Sequence, residues 1–234
     1  MKISGCLIAV LMALSLTPFA SGATVGQIDT FQDGTTDGWF AGGLGLGQVP
    51  PIPPQVVANG GPKGTGDQYL QITGIGGDGA GSRIVAINLA QWAGNYLTPG
   101  LSGIAMDLKN FGATDLTIRL LFEDPMGAPP VDEAVTTFGI FLPVGGGWTH
   151  AFFPTSVSSM TAISGDVKTL LGNTTLLRII DSPTPEDAVS IVGVLGVDNI
   201  SAVPEPATGL TYWLTAIGSL GWLAVRRRRG PLSM

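Results

Sequence analysis

Between Thr24 and Val203 the chain never holds one pattern for long: turn-forming residues punctuate short runs of alternating or continuous apolar side chains. That punctuation, in a chain with 35 glycines and 17 prolines, predicts strands and turns rather than helices. Strands are expected at Gln27–Phe31, Trp39–Ala41, Gln55–Ala58, Gln68–Thr73, Arg83–Leu89, Gly103–Lys109, Asp115–Phe122, Ala134–Leu142, Trp148–Phe153, Thr175–Ile180 and Val189–Ile200. Leu116, Ile118, Leu120 and Phe122 alternate with Thr117, Arg119 and Leu121, and Ile104, Met106 and Leu108 with Ala105, Asp107 and Lys109, as half-buried strands do. Only Asp166–Leu171 invites a short helix. Regularly spaced strands of this kind predict an all-β fold, a two-sheet antiparallel sandwich or jelly roll. Gly42–Pro54 and Asp124–Asp132, rich in Gly, Pro and acids, read as loops, and no internal repeat is visible.

Both ends of the chain differ from this middle. Met1–Ala23 has one positive charge at Lys2, an apolar run from Ile3 to Leu16, Pro18, and then Ser21-Gly22-Ala23. This pattern predicts a signal peptide, residues 1–23, cut by signal peptidase after Ala23, with Gly22 and Ala20 as neighbouring alternatives. The only cysteine, Cys6, lies near the start of that run, not at its end where a lipoprotein needs it. The mature chain is therefore expected to have no disulfide, thiol nucleophile or thiolate ligand. At the other end, Ala207–Val225 is free of charges and is followed by Arg226-Arg227-Arg228-Arg229. At the helical rise it spans about 28 Å, the thickness of a bilayer core. It predicts a transmembrane helix with its arginines in the cytoplasm and the large N-terminal part outside.

Val203-Pro204-Glu205-Pro206, the apolar segment and the arginine run, in that order, resemble the PEP-CTERM sorting signal, here residues 204–229. The resemblance implies recognition of Pro204, Glu205, Pro206 and Arg226, Arg227, Arg228 and Arg229 by an exosortase, a membrane-embedded transpeptidase-like protease. It further implies a bacterial precursor anchored in the inner membrane, then a protein at the cell surface or released, typically beside exopolysaccharide.

The remaining residues, 24–203, suffice for one domain with a real core. They carry six basic and sixteen acidic residues, about −10, with no basic patch. Nucleic-acid binding, which needs cationic phosphate contacts, is disfavoured. Phe31, Gly38-Trp39, Gly60-Gly61-Pro62, Tyr69-Leu70, Trp92-Ala93-Gly94-Asn95-Tyr96, Ile104 to Asn110, Ile118-Arg119-Leu120 and Val197-Asp198-Asn199-Ile200 resemble galactose-binding-like jelly-roll domains, including laminin-B-type and carbohydrate-binding modules. Such modules often carry a structural calcium between first and last strands. The resemblance places its ligands at Asp29 and Asp198, while Gln32 stands where family members commonly have an acid. The bland alternative is that Asp198 and Asn199 only end a strand.

Sugar binding uses flat aromatic faces beside groups that hydrogen-bond hydroxyls. Trp39, Trp92, Tyr96 and Trp148 are the candidates; for Trp39 and Trp148 a place in the core is the favoured alternative, while Trp92 and Tyr96, flanking Gly94-Asn95, are the expected exposed pair. Other motifs carry less. Gly74 to Gly79 matches G-x-G-x-x-G, but the dinucleotide site needs a helix to follow, and Ser82–Leu89 reads as a strand. His150, the only histidine, lies in a strand without a nucleophile elbow, and Asp132-Glu133 and Glu186-Asp187 read as loop acids. The functional expectation is a non-catalytic exported protein binding polysaccharide or matrix. The rivals are a structural matrix protein without a ligand and a glycan-active hydrolase, which a cleft holding His150 or two facing carboxylates would favour.

Overall fold

The computed structural model describes residues 23–42, 51–98, 100–125 and 129–205. Residues 1–22 of the expected signal peptide, the apolar segment 207–225, Pro206 and the four arginines lie outside them, while Ala23, its last residue, is described and buried. Among the described residues twelve strands appear in chain order: β1 (Ile28–Asp29), β2 (Gln55–Val57), β3 (Tyr69–Ile75), β4 (Val85–Asn88), β5 (Leu101–Asn110), β6 (Leu116–Asp124), β7 (Asp132–Thr136), β8 (Ile140–Leu142), β9 (Thr149–Pro154), β10 (Met160–Ser164), β11 (Leu176–Asp181) and β12 (Val192–Pro204). The helix α1 (Val167–Gly172) is capped by the Asp166 carboxylate, which accepts from the Thr169 N–H at 2.8 Å. Among the described residues no helix is long and apolar enough to cross a membrane.

The strands form two antiparallel sheets. The first runs β2-β3-β12-β5-β9, with β1 on β12; the second runs β10-β7-β6-β11-β4, with β8 on β6. One core cluster joins them: Leu70, Ile72, Ile104, Met106, Leu108, Leu195 and Val197 from the first sheet meet Leu116, Ile118, Leu120, Phe122, Leu177 and Ile179 from the second. The alternation written in β5 and β6 thus selects the inward face, as period-two burial requires.

The outer face of the second sheet is covered in part, and a cavity of about 300 Å³ lined by Arg83, Val85, Ile87, Leu176 and Arg178 lies on it. The chain leaving β11 folds back so that Ala188 packs on Leu121, Val135 and Ile180. Arg119 fixes it there, its Nε donating to the Ser182 carbonyl at 2.9 Å and its Nη1 to those of Thr136 and Thr137 at 2.8 and 2.7 Å. The stretch expected as one strand, Ala134–Leu142, is two, β7 and β8, both paired to β6. The ladder breaks where Arg119 takes those carbonyls. The strand β10 was not expected; only Met160 of it is buried, so it carries little periodic signal.

Candidate functional site

The outer face of the first sheet carries exposed aromatic side chains, and β9 supplies its margin. Alternation along this edge strand sends Ala151 and Phe153 into the core, 2% and 1% exposed. Trp148, His150 and Phe152 therefore share the other face, about 6.8 Å from one to the next. Phe152 is 44% exposed and the His150 side chain 70%. Trp148 is half-buried, and its indole N–H donates to the Gly60 carbonyl at 2.9 Å. Its ring stands edge-on to Tyr69 at 5.4 Å and Phe111 at 5.8 Å, while Tyr69 and Phe111 stack at 5.1 Å. Glycines make room for the rings: a Cβ at Gly196 would strike Phe111 and Trp148, and one at Gly103 would strike Phe152.

Polar groups lie beside this row. Asp107 faces His150 across β5 and β9, with Oδ1 2.8 Å from Nδ1, and its Oδ2 accepts from the Asn199 side-chain amide at 2.7 Å. Asn199 has a positive φ of 51° and marks a bulge between Asp198 and Ser201. Asp198 is fully buried, accepts from the Asn199 backbone N–H at 2.7 Å, and is pushed up to about 7 by burial, with Asp67 and Asp107 adding to the effect. A row of three rings with a carboxylate and an amide at its flank can stack a sugar and bond its hydroxyls.

The residues singled out from sequence fall elsewhere. Trp92 and Tyr96, expected to be exposed, are buried at 0% and 2% exposure. The Tyr96 hydroxyl donates to the Trp92 carbonyl at 2.6 Å, and its ring packs edge-on to Phe122 at 5.0 Å. Trp39 is in the core as expected; Trp148 is not. Asp29 and Asp198, expected to share a calcium, point to opposite faces of the first sheet. Asp29 lies opposite Ile200 and faces inward, accepting from the indole N–H groups of Trp92 and Trp39 at 2.7 and 2.9 Å; the bulge at Asn199 leaves Asp198 facing outward. Among the described residues no group of three or more His, Cys, Asp and Glu is arranged to hold a metal ion.

Pro204 is the last residue of β12, and the Glu205 N–H donates to the Gly100 carbonyl at 2.8 Å, so the folded sheet extends to the first residues of the Pro-Glu-Pro sequence. Gly74 to Gly79 leads into a single turn of 3-10 helix at Ala80–Ser82 and then β4, so no α-helix N-terminus meets it. Glu123 and Glu133 do face each other across β6 and β7, but Glu123 is wholly buried, paired with Arg178, and has no access to solvent. His150 has Asp107 as its hydrogen-bond partner, and among the described residues no hydroxyl bonds it. What sequence reading missed is Phe152 and Phe111, while Trp148, a candidate for which sequence favours the core, lies in the row. The signal was available in the alternation Trp148, His150, Phe152 within a correctly placed strand.

No protein-family model matches the chain, and no curated protein matches it. Among solved structures it is similar to an exo-beta-agarase at 12% identity and a TM-score of 0.49, over 76% of this chain and 24% of that one. It therefore spans about a quarter of the agarase's length. It is also similar to the family 11 carbohydrate-binding module of the cellulosomal cellulase Lic26A-Cel5E of Clostridium thermocellum, at 14% identity and a TM-score of 0.47, over 78% of this chain and 96% of that one. A third is the CBM22-1 xylan-binding domain from Paenibacillus barcinonensis Xyn10C, at 16% identity and a TM-score of 0.45, over 80% and 97%.

Proposed function

We propose that this is an exported, non-catalytic protein that binds polysaccharide through the outer face of its first sheet and reaches the cell surface through an exosortase-like system. The observation that carries the binding reading is the row Trp148, His150 and Phe152 on one face of an edge strand, flanked by Asp107 and Asn199. Rings supply apolar area at small entropic cost, and the polar flank supplies hydroxyl partners. Titration of the full-length protein with neutral oligosaccharides tests it. Trp148→Ala is expected to weaken binding about tenfold or more without unfolding the chain; wild-type affinity in that variant, or no glycan binding by the wild type, sinks the idea.

The export part rests on the charged start, short apolar run and small-residue end of Met1–Ala23, and on the ordered Pro-Glu-Pro, apolar and arginine segments at 204–229. Signal peptidase and the exosortase-like enzyme are its partners, and the inner membrane holds the precursor. Intact mass in the host, with and without that enzyme, checks it: enzyme-dependent loss of the segment beyond Pro206 is expected. An unprocessed protein in both strains overturns it.

A further inference from the structure

The last residues of β12 are held differently from the rest of the strand. Up to Ala202 the strand is bonded on both edges. β5 lies along one; β3, β1 and Gln27 lie along the other, where the Ala202 N–H donates to the Gln27 carbonyl at 3.0 Å. Ala202 is also the last residue of β12 in the core. From Val203 onward, among the described residues, every backbone partner lies on the β5 side, and the register slips between Val203 and Pro204. The Ser102 hydroxyl spans that slip, donating to the carbonyls of Val203 and Pro204 at 3.1 and 3.2 Å. Just before β5, the Gly100 carbonyl accepts from the Glu205 N–H at 2.8 Å. Pro204 and Glu205 are themselves exposed.

The first two residues of the Pro-Glu-Pro sequence therefore show their side chains while their backbone is already taken. A partner that reads an extended segment grips it largely through main-chain N–H and C=O groups, and the groups it needs here are bonded to Gly100 and Ser102. A peptide held in this way is cut from a locally opened state. That opening is a small one: with Ala202 left in place, no core side chain moves, and only the one-sided contacts of Val203, Pro204 and Glu205 are given up. We propose that the end of β12 is a gate on processing. Val203–Glu205 must lift from β5, hinging at Ala202, before the exosortase-like enzyme takes up Pro204-Glu205-Pro206, and the Ser102 hydroxyl is the latch. The gate rests on the sorting reading above and adds to it a control exerted by the folded domain itself.

The experiment is a pulse-chase of the full-length protein in its host, with and without the enzyme, following conversion to the processed mass. When opening and closing are fast relative to cleavage, the rate follows the population of the open state. Ser102→Ala is therefore expected to speed processing about two- to tenfold, the worth of one hydrogen bond. A spacer of about eight Gly and Ser residues placed between Val203 and Pro204 carries the sorting sequence clear of β5. That variant should be processed at least as fast as Ser102→Ala, and Ser102→Ala added to it should change nothing further. Ile180→Val, in the outer cluster of the second sheet, lowers the stability of the whole fold without touching the end of β12. It should be processed at the wild-type rate, which separates local opening from global unfolding. A wild-type rate in either Ser102→Ala or the spacer variant overturns the gate while leaving the sorting reading standing. So does an equal gain from Ser102→Ala with the spacer present, or acceleration by Ile180→Val that matches Ser102→Ala. No enzyme-dependent processing of any of these proteins overturns both.

Discussion

Burying a carboxylate against two tryptophans is costly unless their ring N–H groups are aimed at it, and Asp29 meets that condition. It is 4% exposed, and one of its oxygens receives the N–H of both Trp39 and Trp92. Burial still raises its pKa, partly offset by those donors. Removing the carboxylate leaves two indole N–H groups unpaired in the core. Asp29→Ala is therefore expected to cost about 2–4 kcal/mol, on the usual penalty for an unsatisfied buried donor, and Asp29→Asn, which keeps an acceptor, clearly less. Urea denaturation followed by tryptophan fluorescence measures both; equal stabilities for the two variants would contradict the account. The same residue explains why the exposed pair was misjudged. In the sequence, Trp92 and Tyr96 sit beside Gly94-Asn95 and look like a surface turn, but their partners, Asp29 and Phe122, lie 63 and 26 positions away. Nothing local marks such a contact.

At the scale of elements, periodicity was a good guide where one face is buried. β5, β6, β9, β11 and α1 lie within a few residues of where alternation and turn chemistry place them. It failed at β10, whose pattern exposes nearly everything after Met160, and at the break between β7 and β8, which a guanidinium from another strand imposes. The binding row shows the limit from the other side. Alternation along β9 determines that Trp148, His150 and Phe152 share a face, yet not which face meets the core. That choice is made by the neighbours: Ala151 and Phe153 lie across from Met106 and Ile104, both fully buried, which turns the three rings outward. Likewise Asp29 and Asp198 both flank the β1–β12 pairing, but a one-residue bulge at Asn199 puts them on opposite sides of the sheet. Bulges flip faces, and their positions are seldom written in composition.

At the scale of the whole molecule, the acid excess meets an unusual number of buried carboxylates. Burial pushes Glu123 up to about 7, against the lowering effect of Arg178, and Asp198 to about 7; Asp29, Glu133 and Asp181 are raised as well. Each of these groups holds its proton more tightly in the folded state than in the unfolded chain. Between the ordinary carboxylate range near 4 and about 7, the native state therefore binds more protons, so stability falls as pH rises through that window. The contribution is fully present below the unfolded value and gone above about 7. Asp33 and Asp166, exposed and lowered by hydrogen bonds, act in the opposite sense, but at lower pH. Self-repulsion within a domain of about −10 works in the same direction as the buried acids. Melting temperature is thus expected to be highest near pH 5, to decline toward pH 7, and to level off above it. Glu123→Gln isolates one contributor. It cannot ionise, so the variant should lose part of the decline, with its gain over wild type larger at pH 8 than at pH 5. The lost Arg178 pairing limits the gain at high pH, because a guanidinium left beside a neutral amide keeps only a hydrogen bond. A wild-type melting temperature that rises from pH 5 to 8 would mean that these carboxylates ionise freely inside the fold, and that burial does not govern them.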